Sequence, residues 1–216
     1  MKKVGILFDL DGTLLDTLED LLDATNAALA HFGCPARTLA ELRTFVGNGA
    51  ANQIRLSLPG RNDDPELEEI LGWYKEYYAA HCQNKTAPYA GIPAVLAELC
   101  RDYPVAIVSN KPDAAVKTLC AHHFPGIYAL GESAGCPRKP APDMVRRAME
   151  EIGVEDCIYV GDSEVDIRTA GNAGVRCISV LWGFRDRDVL EGEGGRYFCE
   201  NPEGLPALIR GVLHGQ

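Results

Sequence analysis

Short apolar runs alternate with helical segments through most of this chain, and this alternation restricts the fold more than any other feature. Each run is short and rich in β-branched residues, which is typical of strands buried on both faces. The predicted strands span residues 4–10, 105–110, 127–130, 157–162 and 177–183. Helices are predicted between the later strands and at residues 205–213. The pattern predicts an α/β fold with a Rossmann-like parallel sheet.

The segment after the first predicted strand contains no strand-like run. Apolar residues recur there at helical spacing, first from about Thr17 and then within residues 39–46, 50–58 and 66–81. Because this block separates the first strand from the others, we predict an inserted helical cap domain. The cap is assigned to residues 16–84, and the α/β core to residues 1–15 plus 85–216.

The charge and cysteine content restrict partners and location. The chain has 31 acidic and 21 basic side chains, a net charge of -10, and no Lys/Arg-rich run. We therefore expect no nucleic-acid partner, and no membrane partner because no stretch approaches the roughly 20 apolar residues that span a bilayer. Eight cysteines occur without a CxxC pair, which favours reduced thiols in a cytoplasmic protein. Monomer and homodimer both stay open.

Polar and charged residues follow four of the five predicted strands. They are Asp9 and Asp11 after the first strand, Ser109 and Asn110 after the second, Glu132 after the third, and Asp162 and Asp166 after the fourth. Lys139 precedes the fourth strand. In an open parallel sheet, ligands bind at the carboxyl ends of the strands, so these groups are expected to converge there. Several carboxylates in one place repel one another, which costs free energy unless a cation binds between them.

Mg²⁺ is the cation that these oxygen donors suit. Asp9 and Asp162 could supply carboxylate ligands, and Asp11 a backbone carbonyl. An ionised Asp9 can act as a nucleophile and form an aspartyl-phosphate. Asp11, expected among anionic neighbours, could serve as general acid and then base. Lys139 and the Ser109 hydroxyl can hold phosphoryl oxygens.

Four motifs in order resemble those of the haloacid dehalogenase superfamily of phosphohydrolases. They are DLDGTLLDT at residues 9–17, SNK at 109–111, RKPAPD at 138–143 and GDSEVD at 161–166. The resemblance covers essentially the whole chain, including the position of the cap. It implies a Mg²⁺ cofactor, with Asp9 as the nucleophile, Asp11 as the acid/base, and Lys139 and Ser109 as phosphate contacts.

The resemblance also bears on neighbouring residues. Asp162 is implied as a metal ligand, whereas Asp166 could hold either Lys139 or a metal-bound water. Thr13 and Asn110 have two interpretations, as phosphate contacts or as residues that form hydrogen bonds within their loops.

Within the superfamily, the chain most resembles the phosphoglycolate phosphatase branch. The supporting features are the helical cap, VGNG at residues 46–49 and WGFR at residues 182–185. The implied substrate is a small organic phosphomonoester, with phosphoglycolate as the best candidate. Related pyrophosphatases, sugar-phosphate phosphatases and phosphomutases share these motifs and stay as alternatives.

The cap carries the candidate specificity residues. Gly47, Asn48 and Gly49 either face the substrate or form a simple connection between helices. Arg43 either pairs with a substrate carboxylate or is solvated at the surface.

Two other functions are disfavoured by the residues that the chain keeps. A non-catalytic regulatory protein of the same fold would be expected to have lost Asp9, Asp11, Lys139 or Asp162. A haloacid dehalogenase is disfavoured because Asp11, the second acid of the first motif, is present.

Overall fold

The computed structural model describes residues 3–58 and 66–215. The strands in this part of the chain are β1 (Val4–Phe8), β2 (Leu15–Asp16), β3 (Ala87–Pro88), β4 (Val105–Pro112), β5 (Tyr128–Glu132), β6 (Asp156–Gly161), β7 (Arg176–Val180) and β8 (Tyr197–Cys199). β2 and β3 form an antiparallel pair, and the other six form one sheet in the order β5-β4-β1-β6-β7-β8. All neighbours in this sheet are parallel.

Helices connect the strands and cover both faces of the sheet. They are α1 (Leu18–His31), α2 (Leu39–Phe45), α3 (Gly49–Ser57), α4 (Leu67–His81), α5 (Ile92–Asp102), α6 (Asp113–His123), α7 (Asp143–Glu151), α8 (Glu164–Ala173), α9 (Arg187–Gly192) and α10 (Leu205–His214). The predicted α/β class with a parallel sheet is confirmed. None of the helices described is long and apolar enough to cross a membrane.

The central strand β1 is buried on both faces. Ile6 and Phe8 belong to a hydrophobic cluster that includes residues of α5, α6 and α10, whereas Leu7 belongs to a second cluster with residues of α7 and α8. Successive side chains of a strand point to opposite faces, so a three-residue apolar run joins two layers of helices. All three side chains are fully buried. The loop that follows β1 is therefore anchored to the most enclosed part of the core.

Helices α1–α4 lie between β2 and β3 in the chain, which is where the cap is predicted. The β2–β3 pair joins the outgoing and returning segments, with Leu15 opposite Pro88. The buried carboxylate of Asp20 also accepts hydrogen bonds from the N–H groups of Lys85 at 3.0 Å and Thr86 at 2.9 Å. The division into core and cap stays a prediction, and its residues 1–2, 59–65 and 216 lie outside the described residues.

The shortest elements and the strand ends differ from the prediction. Strands β2, β3 and β8 and helix α9 contain two to six residues each, too few for a period to be recognised. The predicted strands at 4–10 and 177–183 end earlier, at Phe8 and Val180. The residues beyond both ends belong to the loops that form the candidate site.

Candidate active site

The carboxyl end of β1 lies between β4 and β6, near the middle of the sheet. Asp9 directly follows β1, Ser109 lies in the last half of β4, and Asp162 directly follows β6. This is the edge where parallel α/β sheets bind ligands. The structure brings the three side chains into one pocket.

Asp9 is buried, and its contacts fall on one carboxylate oxygen. Oδ1 accepts a hydrogen bond from the Leu10 N–H at 2.7 Å and lies 2.9 Å from Nζ of Lys139. No residue in the described part of the chain donates a hydrogen bond to Oδ2. The arrangement fixes the orientation of the carboxylate and leaves one oxygen available for a ligand or a reaction.

Lys139 is also buried, and its ammonium reaches three oxygens. These belong to Asp9 at 2.9 Å, Asp166 at 2.8 Å and the Tyr159 hydroxyl at 3.0 Å. Burial alone would lower the pKa of Lys139, but Asp166 and then Asp9 outweigh it and raise the pKa well above its usual value. Lys139 is therefore a fixed positive charge beside Asp9.

Asp166 was left with two interpretations, and in the structure its carboxylate holds Lys139. Its other oxygen accepts a hydrogen bond from the Ser163 hydroxyl at 2.6 Å at the start of α8.

Tyr159, which also contacts Lys139, is not part of the predicted site. The sequence feature that could have identified Tyr159 is an aromatic residue within the otherwise aliphatic strand β6. A residue that only packs in the core would produce the same feature.

Asp9, Asp162 and Asp166 form a buried acidic cluster, with one oxygen of each within 4.8 Å of the others. Burial and the charge of Asp166 raise the pKa of Asp162 to about 7. The same two causes raise the pKa of Asp9 well above its usual value. A set of buried oxygen donors that repel one another suits a hard divalent cation, so the residues present fit Mg²⁺.

The loop after β1 orients Asp162. The Thr13 hydroxyl donates to Oδ1 of Asp162 at 3.2 Å, and the Phe184 N–H donates to Oδ2 at 2.7 Å. Gly12 has a φ of +79°, and a Cβ at this position would overlap the Asp162 carboxylate. Of the two interpretations of Thr13, the structure shows a hydrogen bond to a candidate metal ligand, and a contact to phosphate stays a prediction.

Asp11 lies on the same loop as Asp9 and has different neighbours. Its Oδ1 accepts a hydrogen bond from the Thr17 hydroxyl at 2.6 Å and lies 3.0 Å from Nζ of Lys111. The expectation that Asp11 has anionic neighbours omitted this cation. A lysine and a hydroxyl therefore orient the proposed acid/base.

Lys111 is a site residue to which the sequence assigned no role. Its side chain is only 3% exposed, and its ammonium donates to the hydroxyl of Tyr78, on α4, at 2.7 Å. The sequence feature that could have identified Lys111 as a site residue was its place directly after Ser109 and Asn110, at the end of a buried strand. Tyr78 could not be identified, because the helical pattern of α4 explains it as a packing residue.

Ser109 and Asn110 have different tasks in the structure. The Ser109 Oγ accepts the Lys111 N–H at 3.2 Å, so its own proton is available to a ligand. The Asn110 amide donates to the carbonyls of Lys139 at 2.9 Å and Gly47 at 3.1 Å. Asn110 thus links the core to the predicted cap, as its interpretation as a hydrogen-bonding loop residue implies, and its contact to phosphate stays a prediction.

Residues of α1, α3, α4 and the α2–α3 connection, all within the predicted cap, close the other side of the pocket. Its lining there comprises Leu21, Val46, Gly47, Gly49, Ala50, Gln53, Tyr74 and Tyr78. Two of the three residues of the predicted specificity loop, Gly47 and Gly49, belong to this wall. Asn48 does not line the pocket and precedes α3.

Arg43 does not line this pocket in the structure. Its guanidinium contacts Asp186 at 2.9 Å at the surface. Arg185 lines the pocket instead, 2.8 Å from Glu164, and donates to the carbonyls of Arg43 at 2.7 Å and Val46 at 2.8 Å. A core arginine therefore holds the end of α2.

Comparison with known protein families agrees with this geometry. The family model of the haloacid dehalogenase-like hydrolases matches residues 6–180, which include the acidic cluster and Lys139. The chain belongs to the haloacid dehalogenase-like hydrolase family. The resemblance expected from the four motifs is confirmed.

Phosphoglycolate phosphatases are among the curated relatives of this hydrolase. A phosphoglycolate phosphatase of Cereibacter sphaeroides is 34% identical over 97% of this chain and 99% of its own length. Phosphoglycolate phosphatase 1 of Pseudomonas aeruginosa is 34% identical over 93% of this chain and 77% of its own. A solved structure from Lactobacillus delbrueckii, provisionally described as a phosphoglycolate phosphatase, is 36% identical over 97% of this chain and 99% of that one, with a TM-score of 0.89. The hydrolase is thus a phosphoric monoester hydrolase of the phosphoglycolate phosphatase-like branch.

Proposed function

We propose that this chain is a Mg²⁺-dependent phosphatase that hydrolyses a small organic phosphomonoester, phosphoglycolate, through an aspartyl-phosphate on Asp9. The observation that carries the proposal is the geometry of Asp9. Asp9 lines the pocket; Leu10 and Lys139 hold its Oδ1, and Oδ2 has no hydrogen-bond donor among the described residues. Lys139 and a bound Mg²⁺ would keep this carboxylate ionised against the effect of its burial, and a fixed, ionised carboxylate in an enclosed site is suited to nucleophilic attack.

The first step forms the aspartyl-phosphate. Oδ2 of Asp9 attacks the phosphorus, the bond between phosphorus and the ester oxygen breaks, and the departing alkoxide takes a proton from Asp11. In the second step, Asp11 takes a proton from water, and the water oxygen attacks the phosphorus. The bond between phosphorus and Asp9 then breaks, which releases inorganic phosphate and restores both carboxyl groups.

Residues of the core hold the transferring phosphoryl group. Lys139 supplies a buried positive charge, and the Ser109 hydroxyl supplies a proton donor. Donors fixed before the reaction stabilise developing charge without reorganising, and such donors are usually the largest contribution to catalysis. Tyr159 and Asp166 act by positioning Lys139.

Asp9 and Asp162 would hold Mg²⁺ through their carboxylates, with the Asp11 backbone carbonyl as a third protein ligand. When bound, the cation neutralises charge on the phosphoryl oxygens and on the acidic cluster. Thr13 and Phe184 keep Asp162 oriented for this task.

Phosphoglycolate is proposed as the substrate because the curated relatives that match nearly the whole chain bear that name. The pocket is also closed on one side by the cap, which favours a small leaving group. A cytoplasmic location is proposed because the structure joins none of the described cysteines in a disulfide, and reduced thiols are stable in a reducing compartment.

Asp9→Asn tests the proposal. The purified protein is expected to release phosphate from phosphoglycolate with Mg²⁺ and to stop when EDTA is added. Asp9→Asn should lower kcat by at least about 10³-fold, because the amide is a poor nucleophile. Asp188→Asn, an exposed change on α9, is the control and should retain full activity. Substantial turnover by Asp9→Asn, with an unchanged circular dichroism spectrum, would disprove the nucleophile.

A further inference from the structure

Lys111 places a buried ammonium in the pocket, directly beside Asp11. Asp11 is the proposed acid for the ester oxygen, and Nζ of Lys111 lies 3.0 Å from Asp11 Oδ1. A general acid must approach the atom that it protonates within about 3 Å. Whatever group the substrate carries next to its ester oxygen is therefore brought close to Lys111.

The ammonium of Lys111 retains hydrogen-bonding capacity. An ammonium has three N–H donors, and the described residues supply two oxygens, from Asp11 and from the Tyr78 hydroxyl. Lys111 lines the pocket, so the third donor can reach a ligand there. Asp11 already pairs the charge of Lys111, but the remaining N–H of a buried ammonium still needs an acceptor, and a charged acceptor forms the stronger hydrogen bond.

Other cations near the pocket are engaged elsewhere. Arg185 pairs with Glu164 and with carbonyls at the end of α2. Arg43 pairs with Asp186 at the surface. Lys139 lies on the other side, against Asp9 and Asp166. Lys111 is thus the cation in the described part of the chain that is placed to meet a charge on the leaving group.

We propose that Lys111 binds an acid group on the leaving group, so that the pocket selects phosphomonoesters of small 2-hydroxy acids. This inference rests on the proposed phosphatase function, and it adds the residue that recognises the acid group of the substrate. A carboxylate two bonds from the ester oxygen can accept a hydrogen bond from Lys111 while Asp11 serves the ester oxygen.

The cap keeps this subsite short. Tyr78 holds the Lys111 ammonium, and its ring lies against the same charge, 4.5 Å from Nζ to the ring centroid. Beside it, Tyr74 accepts a hydrogen bond from the Gln53 amide at 3.1 Å. These buried side chains of α3 and α4 form a wall directly beyond Lys111, so an acid group farther from the ester oxygen would meet this wall.

The test compares phosphoglycolate with carbamoylmethyl phosphate, its neutral amide of nearly the same shape. The ratio of kcat/KM for the acid to that for the amide should be large in the wild type. Lys111→Met should reduce this ratio about 10- to 100-fold, the range expected when a charge-assisted hydrogen bond is lost. Most of the loss should lie in KM for the acid. Lys111→Arg should retain most of the preference, and Lys75→Met, an exposed change on α4, should retain all of it.

The outcomes separate the subsite from the general reaction. If Lys111→Met lowers kcat equally for both substrates and leaves the ratio unchanged, Lys111 only positions Asp11 and the inference is wrong. Tyr78→Phe offers a milder test, because it loosens Lys111 without removing the charge; an unchanged ratio in both variants would also overturn the inference. If the wild type hydrolyses neither substrate nor an aryl phosphate, the proposed function fails instead.

Discussion

Lys139 shows how much a single residue depends on its supporting contacts. Its charged end lies between two carboxylates and the hydroxyl of Tyr159, and that hydroxyl also donates to the Val108 carbonyl at 3.2 Å. Such a network holds the ammonium in one place, which a site for a transferring phosphoryl group requires. Tyr159 is therefore a positioning residue for the reaction.

Tyr159→Phe should lower kcat/KM about tenfold for phosphoglycolate and for an aryl phosphate alike, because one hydrogen bond to Lys139 is lost. The equal effect on both substrates distinguishes positioning of Lys139 from substrate selection. Tyr103→Phe, at the end of α5 and outside the pocket, is the control. Wild-type kinetics in Tyr159→Phe would contradict this role.

For individual residues, the sequence identified members of the site only where they belong to a recognisable motif. Four acids and hydroxyls that line the pocket were named from their place after predicted strands: Asp9, Asp11, Ser109 and Asp162. Lys139 was named from its motif in the loop before the fourth strand, and it lies behind Asp9. The contacts of Lys111 and Tyr159 depend on which side chains meet across elements. A sequence read in one dimension does not contain that information.

Among the elements, the end of α2 is the link between cap and core. The last carbonyls of a helix have no partner within the helix and carry partial negative charge. Arg185 donates to the carbonyls of Arg43 and Val46 there, and Asn110 donates to the next carbonyl, that of Gly47. Core side chains thus fix the cap loop that lines the pocket.

Arg185→Met should weaken this link and raise KM about tenfold with a smaller effect on kcat, because a smaller fraction of the protein holds the closed pocket. Hydrogen exchange at residues 43–49 should become faster. Arg187→Met, an exposed change on α9, is the matched control. Unchanged exchange and an unchanged KM would show that Arg185 does not hold the cap.

The elements that the sequence predicted correctly are the long or strongly apolar ones. β1, β4 and β6 are continuous buried runs, and the closing helix α10 has a clear apolar face. β8 could not be recognised, because three residues at the sheet edge owe their conformation to pairing with β7. Short strands are set by their neighbours more than by their own residues.

For the whole molecule, the net charge of -10 and the three acids that line the pocket all oppose an anionic substrate, so cations placed close to the bound phosphate must offset them. A chain of net charge -10 repels an anionic substrate, yet its pocket presents buried or half-buried Lys111 and Arg185, with Lys139 directly behind Asp9. Local charges inside a low-dielectric site act more strongly than distant surface charges, which solvent and salt screen. An acidic protein can therefore bind a phosphate ester.

Metal binding should be visible as a gain in stability of the entire protein. A ligand at ten times its Kd adds about 1.4 kcal/mol, which corresponds to a rise in Tm of roughly 3–6 °C for a chain of this size. Mg²⁺ should produce such a rise, and an equal ionic strength of Na⁺ should not. Asp162→Asn should abolish the response, whereas Asp188→Asn should keep it. A wild-type Tm that is independent of Mg²⁺ would count against the metal site.

The phosphorylated intermediate gives the most direct test of the central claim. Protein mixed with phosphoglycolate and Mg²⁺ is quenched with acid during turnover and reduced with borohydride, which converts an aspartyl-phosphate to homoserine. Mass spectrometry of the peptide that spans Asp9 should then show homoserine at that position, and the Asp9→Asn protein should show none. Hydrolysis without any trapped product, or a product at Asp11 or another residue, would contradict Asp9 as the nucleophile.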